Sequence, residues 1–149
     1  MPLKGPRAEV PGRNFSGMPA IREMAMEEIR SWAGEKVYPE YSLVTQMREG
    51  GFHTRHADNE RLVGSQWQDN HTPQRAFTSM IYLNTCGDDY EGGELNFPTK
   101  DRMISPEAGM LVGFPCHHEF EHEVFPVTNG LRYAISIWYT RDASLSEKS

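Results

Sequence analysis

The chain has 149 residues, 15 Lys+Arg against 21 Asp+Glu, a formal net charge of −6, 38% apolar residues and 11% aromatics. That length holds one domain with a single core, and the aromatic content is too high for a disordered chain. The acidic balance, with no cluster of Lys and Arg, argues against a nucleic-acid binder, which neutralises phosphates with grouped cations. No apolar run is long enough to span a bilayer, and the opening Met1-Pro2-Leu3-Lys4-Gly5-Pro6 lacks the apolar stretch of an export signal. The expected location is therefore cytoplasmic, with no membrane partner.

In chain order, residues 1–18 carry Pro2, Pro6, Pro11, Gly5, Gly12 and Gly17 and read as an irregular N-terminal arm. Pro19 opens a helical pattern in which Ile21, Ala25, Ile29 and Trp32/Ala33 share a face, so residues 19–33 form an amphipathic helix that Gly34 ends. Short β-type runs follow: Tyr41–Met47, Phe52–His56, Ala76–Asn84, Glu94–Phe97, Gly109–Phe114, His122–Val127 and Leu131–Thr140. Turn clusters separate them, among them Glu91-Gly92-Gly93 and Thr128-Asn129-Gly130. Many short strands with regularly spaced turns indicate a mainly β sandwich or jelly roll. Residues 59–75 show no period and read as a lid or binding loop. A single domain thus spans 19–140, with a tail at 141–149. Cys86 and Cys116 form no metal knuckle or disulfide framework and read as two reduced thiols.

His56-Ala57-Asp58 places an imidazole and a carboxylate two residues apart, on one face of an extended strand. Alone, such a pair is most often a surface ion pair. With one more histidine it becomes the two-histidine, one-carboxylate facial triad that holds ferrous iron and leaves coordination positions open. His117, His118 and His122 are candidate third ligands, while His53, three residues before His56, is expected to face the other way.

Residues 131–139 form a long strand with Arg132, Ala134, Ser136 and Trp138 on one face and Leu131, Tyr133, Ile135, Ile137 and Tyr139 on the other. Packing residues on both faces mark a central strand. A guanidinium on its inner face needs a partner: either an internal Asp or Glu, or a small-molecule carboxylate held by the guanidinium fork.

These segments together resemble the prolyl 4-hydroxylase-type branch of the 2-oxoglutarate- and Fe(II)-dependent dioxygenases. The matching residues are Gly50-Gly51, His56-Ala57-Asp58, Ile81-Tyr82-Leu83-Asn84, Tyr90-Glu91-Gly92-Gly93-Glu94-Leu95-Asn96-Phe97-Pro98, Pro106-x-x-Gly109, Leu111-Val112-Gly113-Phe114 and the run from His122 to Tyr133. The resemblance implies a double-stranded β-helix (jelly roll, cupin-like) with a supporting N-terminal helix. It implies iron held by His56, Asp58 and His122, the last chosen because Arg132 follows ten residues later. Arg132 would pair the far carboxylate of 2-oxoglutarate and Tyr82 would donate its hydroxyl to it. Ser136, on the same face as Arg132, is a further candidate contact.

The implied cofactors are Fe(II), 2-oxoglutarate and O2 as co-substrates, and ascorbate as reductant. The implied reaction hydroxylates an unactivated C–H bond, releasing succinate and CO2. One departure stands out: the family often has a Tyr where this chain has Met47, leaving Thr45 or Gln46 as substitutes. The expected substrate is a prolyl residue in a peptide or protein; a free amino acid or small natural product is the alternative, and a non-catalytic metal-binding or interaction module a third reading. Trp67, Arg75 and Trp138 are candidate substrate contacts.

Overall fold

A computed structural model describes residues 17–147. Residues 1–16 of the expected arm lie outside the described residues. The arm's last position, Met18, already belongs to helix α1 (Met18–Ala33), where it is fully buried. Pro19 sits in the first turn, and Gly34 closes the helix in the left-handed region at φ 70°, its N–H donating to the Arg30 carbonyl. No described helix is long and apolar enough to cross a membrane.

Twelve strands follow among the described residues. The major sheet orders β1 (Tyr38–Met47), β12 (Arg132–Thr140), β5 (Arg75–Tyr82) and β9 (Leu111–Pro115), all antiparallel. The minor sheet orders β2 (His53–His56), β10 (His122–Val124), β7 (Leu95–Phe97) and β8 (Arg102–Ile104). Two ribbons complete the set, β3 (Glu60–Val63) with β4 (Gln66–Asp69), and β6 (Tyr90–Gly92) with β11 (Val127–Gly130). This is the expected double-stranded β-helix, a jelly roll of two facing sheets with one supporting helix.

Two apolar clusters follow from strand alternation. Ile135, Ile137 and Tyr139 of β12 join Val44, Phe77 and Ile81 beneath Ala25 and Ile29 of α1. On the opposite face Ala134 joins Met47, Met80, Tyr82, Phe97, Phe114 and Val124 between the sheets. The two faces of β12 are those expected from its sequence period.

Three expectations change. Residues 60–69 form the β3–β4 hairpin rather than a structureless loop. The run His122–Val127 is two strands, because Pro126 cannot donate to a ladder and the chain changes partner there, β10 pairing with β2 and β7 and β11 with β6. Thr128-Asn129-Gly130 accordingly lies in β11 rather than in a turn. Beyond β12 the chain returns to the barrel: Glu147 pairs with the buried Arg22 of α1 at 3.2 Å and accepts a hydrogen bond from Ser42 of β1 at 2.6 Å.

Ile137 is fully buried between α1 and the major sheet. Ile137→Ala should lower unfolding free energy by about 2–5 kcal/mol, read from urea titrations. Metal affinity of the folded variant should be unchanged, since the substitution faces away from the cavity between the sheets.

Candidate metal centre and co-substrate cavity

Between the sheets lies a cavity of about 110 Å³, lined by Leu43, Thr45, His53, His56, Asp58, Thr78, Met80, His122, Val124, Arg132, Ser136 and Trp138. His56 ends β2 and His122 begins β10, and the two are cross-strand partners, their ring centroids 4.4 Å apart. Asp58, two residues beyond His56, turns inward beside both. Its Oδ1 is 3.3 Å from His56 Nε2 and 3.6 Å from His122 Nε2. One ligand atom from each of the three residues falls within 4.8 Å of the others, a spacing able to hold a metal ion.

Surrounding groups fix the donor atoms. His56 Nδ1 contacts the Thr54 carbonyl at 2.6 Å and His122 Nδ1 the Phe120 carbonyl at 3.0 Å. A carbonyl only accepts, so each Nδ1 carries a proton and each neutral ring presents the Nε2 lone pair to the centre. Phe114 and Phe97 pack on the His122 ring. Thr78 of β5 donates to Asp58 Oδ2, with the Cys116 thiol 3.2 Å from its hydroxyl. Oδ2 is thereby occupied and Oδ1 is left for a metal. The Asp58 carbonyl accepts from Asn70 at 3.1 Å and from Thr72 at 2.9 Å. The segment expected to be a lid therefore also anchors the carboxylate ligand, a role its polar composition hid.

Burial favours the neutral acid at Asp58, but the His56 hydrogen bond and the neighbouring imidazoles outweigh it and hold the carboxyl well below its usual range. Burial likewise pushes His56 down, and the Asp58 hydrogen bond and charge more than reverse this, raising it above 6.5. Burial dominates at His122 and lowers it. His53 also lines this cavity, contrary to expectation. Three residue steps of β2, from His53 to His56, span the same length as two steps of β10, from His122 to Val124. This bulge reverses the strand parity. His53 opens to the cavity mouth yet is crowded by protein, and burial with the nearby cationic groups pushes it down to about 4.

At the other end of the cavity Arg132 is 1% exposed. Its Nε donates to the Gly93 carbonyl at 3.1 Å, its guanidinium lies over the Tyr82 ring at 5.2 Å, and Nη2 has no partner. Gly93 makes this possible: at φ 70°, a Cβ there would stand 2.8 Å from Arg132 Cδ. No Asp or Glu pairs with Arg132, so the internal ion pair weighed from sequence is absent among the described residues. Tyr90 is also buried with an unpartnered hydroxyl, its ring against the same glycine. Tyr82 is fully buried; its hydroxyl donates to Met80 Sδ at 3.7 Å and lies near the Arg132 guanidinium.

A buried guanidinium nitrogen and a buried phenol without partners are costly in isolation. A carboxylate from a bound small molecule satisfies both. Register separates the residues around the position where the family often has a tyrosine. Met47 pairs with Arg132 and is buried, and Thr45 lies on the cavity while Gln46 belongs to the opposite face.

Residues 42–140 match the 2OG-Fe(II) oxygenase superfamily. The chain belongs to this family. Among curated relatives, chicken (Gallus gallus) prolyl 3-hydroxylase 1 is 38% identical over 79 residues, covering 50% of this chain and 10% of the relative. Mouse (Mus musculus) prolyl 3-hydroxylase 3 is 34% identical over 105 residues, covering 64% and 14%. The chain thus spans only a small part of these proteins. Among solved structures, the viral collagen prolyl hydroxylase of Paramecium bursaria Chlorella virus-1, a 2OG complex, superposes with a TM-score of 0.71 at 22% identity, covering 95% of this chain and 81% of that one. A Trichoplax adhaerens prolyl hydroxylase in complex with a peptide fragment of the hypoxia inducible factor oxygen degradation domain gives 0.62 at 23% identity, covering 94% and 66%. The family's metal and co-substrate, Fe(II) and 2-oxoglutarate, suit the donor set and the unpartnered Arg132 described above.

The remaining candidates divide between the cavity lining and its surroundings. His118 is held by Glu60 at 2.7 Å and stacks on Trp67, ring centroids 5.0 Å apart. His117 packs against Phe120. Neither joins the His56, Asp58, His122 group. Trp138 and Ser136 line the cavity. Arg75 sits behind, across the Trp138 ring at 4.7 Å and ion-paired with Glu40 at 2.7 Å. Trp67, on the hairpin, contacts His118 rather than the cavity.

Two measurements test the centre. Thr78→Val should weaken Fe(II) or Co(II) affinity roughly 10- to 100-fold, with Thr78→Ser close to the parent, because Thr78 orients a ligand. Metal affinity should also fall on acidification as His56 gains its proton. Asp58, with its depressed pKa, stays ionised, so the loss follows a histidine titration. A midpoint in the carboxylate range would contradict this assignment.

Proposed function

We propose that this chain hydroxylates an unactivated C–H bond of a prolyl residue in a peptide or protein, consuming 2-oxoglutarate and O2 and releasing succinate and CO2. The observation that carries this reading is the pairing, across one cavity, of the His56, Asp58 and His122 group with the unpartnered buried Nη2 of Arg132. In this reading His56 Nε2, Asp58 Oδ1 and His122 Nε2 hold Fe(II). The metal, once bound with 2-oxoglutarate and O2, supplies the oxidising chemistry, and ascorbate serves as its reductant.

The chain's own residues bind, orient and exclude. Arg132 takes the far carboxylate of 2-oxoglutarate through Nη2, with its Nε already committed to Gly93. Tyr90 and Tyr82 add hydroxyl donors, Tyr82 by exchanging a weak thioether contact for a carboxylate. Thr45 and Ser136 supply further hydroxyls on the cavity face, and Leu43, Met80 and Val124 wall it against water. A dicarboxylate anion has a cation at each end: the metal with a single carboxylate ligand, and the guanidinium.

Trp138, braced by Arg75, offers the prolyl ring an aromatic surface at the mouth, and Trp67 on the β3–β4 hairpin would border an incoming peptide. The prolyl class is supported by the names of the curated relatives, and a peptide substrate by the Trichoplax complex.

Anaerobic addition of Fe(II) and 2-oxoglutarate should produce a weak visible charge-transfer band, and aeration with proline-rich peptides should release succinate. His122→Ala should abolish both signals while His118→Ala leaves the band intact. Arg132→Gln should weaken 2-oxoglutarate binding by about 30-fold or more, the floor for removing one member of a buried, hydrogen-bonded charge pair. Succinate release with free amino acids but no peptide would shift the substrate to small molecules. Absence of both band and succinate would leave a non-catalytic metal-binding module.

A further inference from the structure

The two sheets part along the margin where β8 and β9 are the edge strands. A second cleft of about 430 Å³ opens there, and none of its lining residues is shared with the metal cavity. Its apolar surface comes from Phe97, Ile104, Met110, Val112, Phe114 and Phe120, the uncovered margin of the core between the sheets. Among the described residues, the only charged side chains lining it are Lys100 and Arg102, both exposed. Lys100 Nζ lies 4.6 Å from the Phe120 ring centroid. Among the described residues no carboxylate pairs with either cation.

Two unpaired cations at the lip of an apolar cleft, in a chain of net charge −6, are a local reversal of sign. Short connections border the cleft at both ends. At one end residues 105–110 connect β8 to β9, and at the other the Thr99 hydroxyl donates to the Glu119 carbonyl, tying two short turns together. The bordering strands are only three and five residues long, a short margin that suits a compact ligand better than a long extended peptide. A compact ligand can fill the cleft, and the volume falls within the range of small-molecule sites.

We propose that this cleft binds a small amphipathic carboxylate, its apolar body against Ile104, Val112 and Phe120 and its carboxylate at Lys100 and Arg102. Burial of the hydrocarbon supplies most of the affinity and the two cations select the charge.

The test titrates the full chain, without added metal, with decanoate and with decylamine, which match in length and oppose in charge. Calorimetry reads affinity and amide NMR shifts read location. Decanoate should saturate one site, shifting Ile104, Val112 and Phe120, and decylamine should bind about tenfold or more weakly, since like charges at a binding surface repel. The surface double variant Lys100→Glu/Arg102→Glu should lose decanoate affinity by a similar factor while retaining 2-oxoglutarate binding and succinate release. Val112→Trp should block the cleft outright. Equal binding of the two probes, no saturation, or shifts centred on Leu43 and Ser136 in the metal cavity would overturn the proposal. So would failure of decanoate alongside saturation of the same amides by an acidic, leucine-rich peptide, which would make the cleft a protein-docking surface. None of these outcomes bears on the hydroxylase reading, whose measurements depend on the other cavity.

Discussion

The period of strand β12 governs this molecule. Paired with β1 on one side and β5 on the other, it cannot slip by one residue without exchanging its faces. In the observed register Arg132, Ser136 and Trp138 face the cavity while Ile135, Ile137 and Tyr139 meet the helix. A slip would place a guanidinium under α1 and isoleucines in the cavity. The apolar packing of α1 on the outer face is thus what holds Arg132 at the inner one. Stability and chemistry are coupled through an alternation of single residues.

Electrostatics of the cavity follow from the same arrangement. Asp58 is nearly buried yet ionised, because two imidazoles and the Thr78 hydroxyl surround it. Arg132 is buried with no carboxylate of the chain beside it. A folded protein keeps such groups apart and only partly satisfied when an external ligand completes them. On the proposed function, the anionic co-substrate of the family would complete the basic end and a divalent metal the acidic one. The two glycines before Glu94 give this a steric basis. Gly92 lets the chain pass the Pro126 carbonyl, and Gly93 admits the side chain of Arg132.

What could be read from the sequence followed the strength of the periodic signal. Strand β12 is nine residues long and alternates cleanly, so both of its faces were legible. His56 and Asp58 were legible because a spacing of two needs no tertiary information. His53 was not, since a bulge is set by the partner strand and leaves no mark in its own short segment. The β3–β4 hairpin was missed for a different reason. Its two strands are four residues each and exposed on both faces, so no apolar alternation announces them. Its link to the site, through the Asn70 and Thr72 side chains on the Asp58 carbonyl, involves polar contacts that any loop sequence could contain. Tyr90 stood in a recognisable motif, but only burial without a partner distinguishes its hydroxyl from a packing phenol.

The clasp formed by Glu147, Arg22 and Ser42 carries an architectural consequence. It fastens the end of the described chain behind the major sheet, on the side occupied by α1. Met18, at the beginning, is buried in the same layer. Both ends of the described chain therefore sit on the helix side of the major sheet, and the cavity lies against its other face. A domain whose described ends both sit on the helix side keeps them off the sheet face that lines the cavity, which suits a unit matching only a tenth to a seventh of much longer relatives.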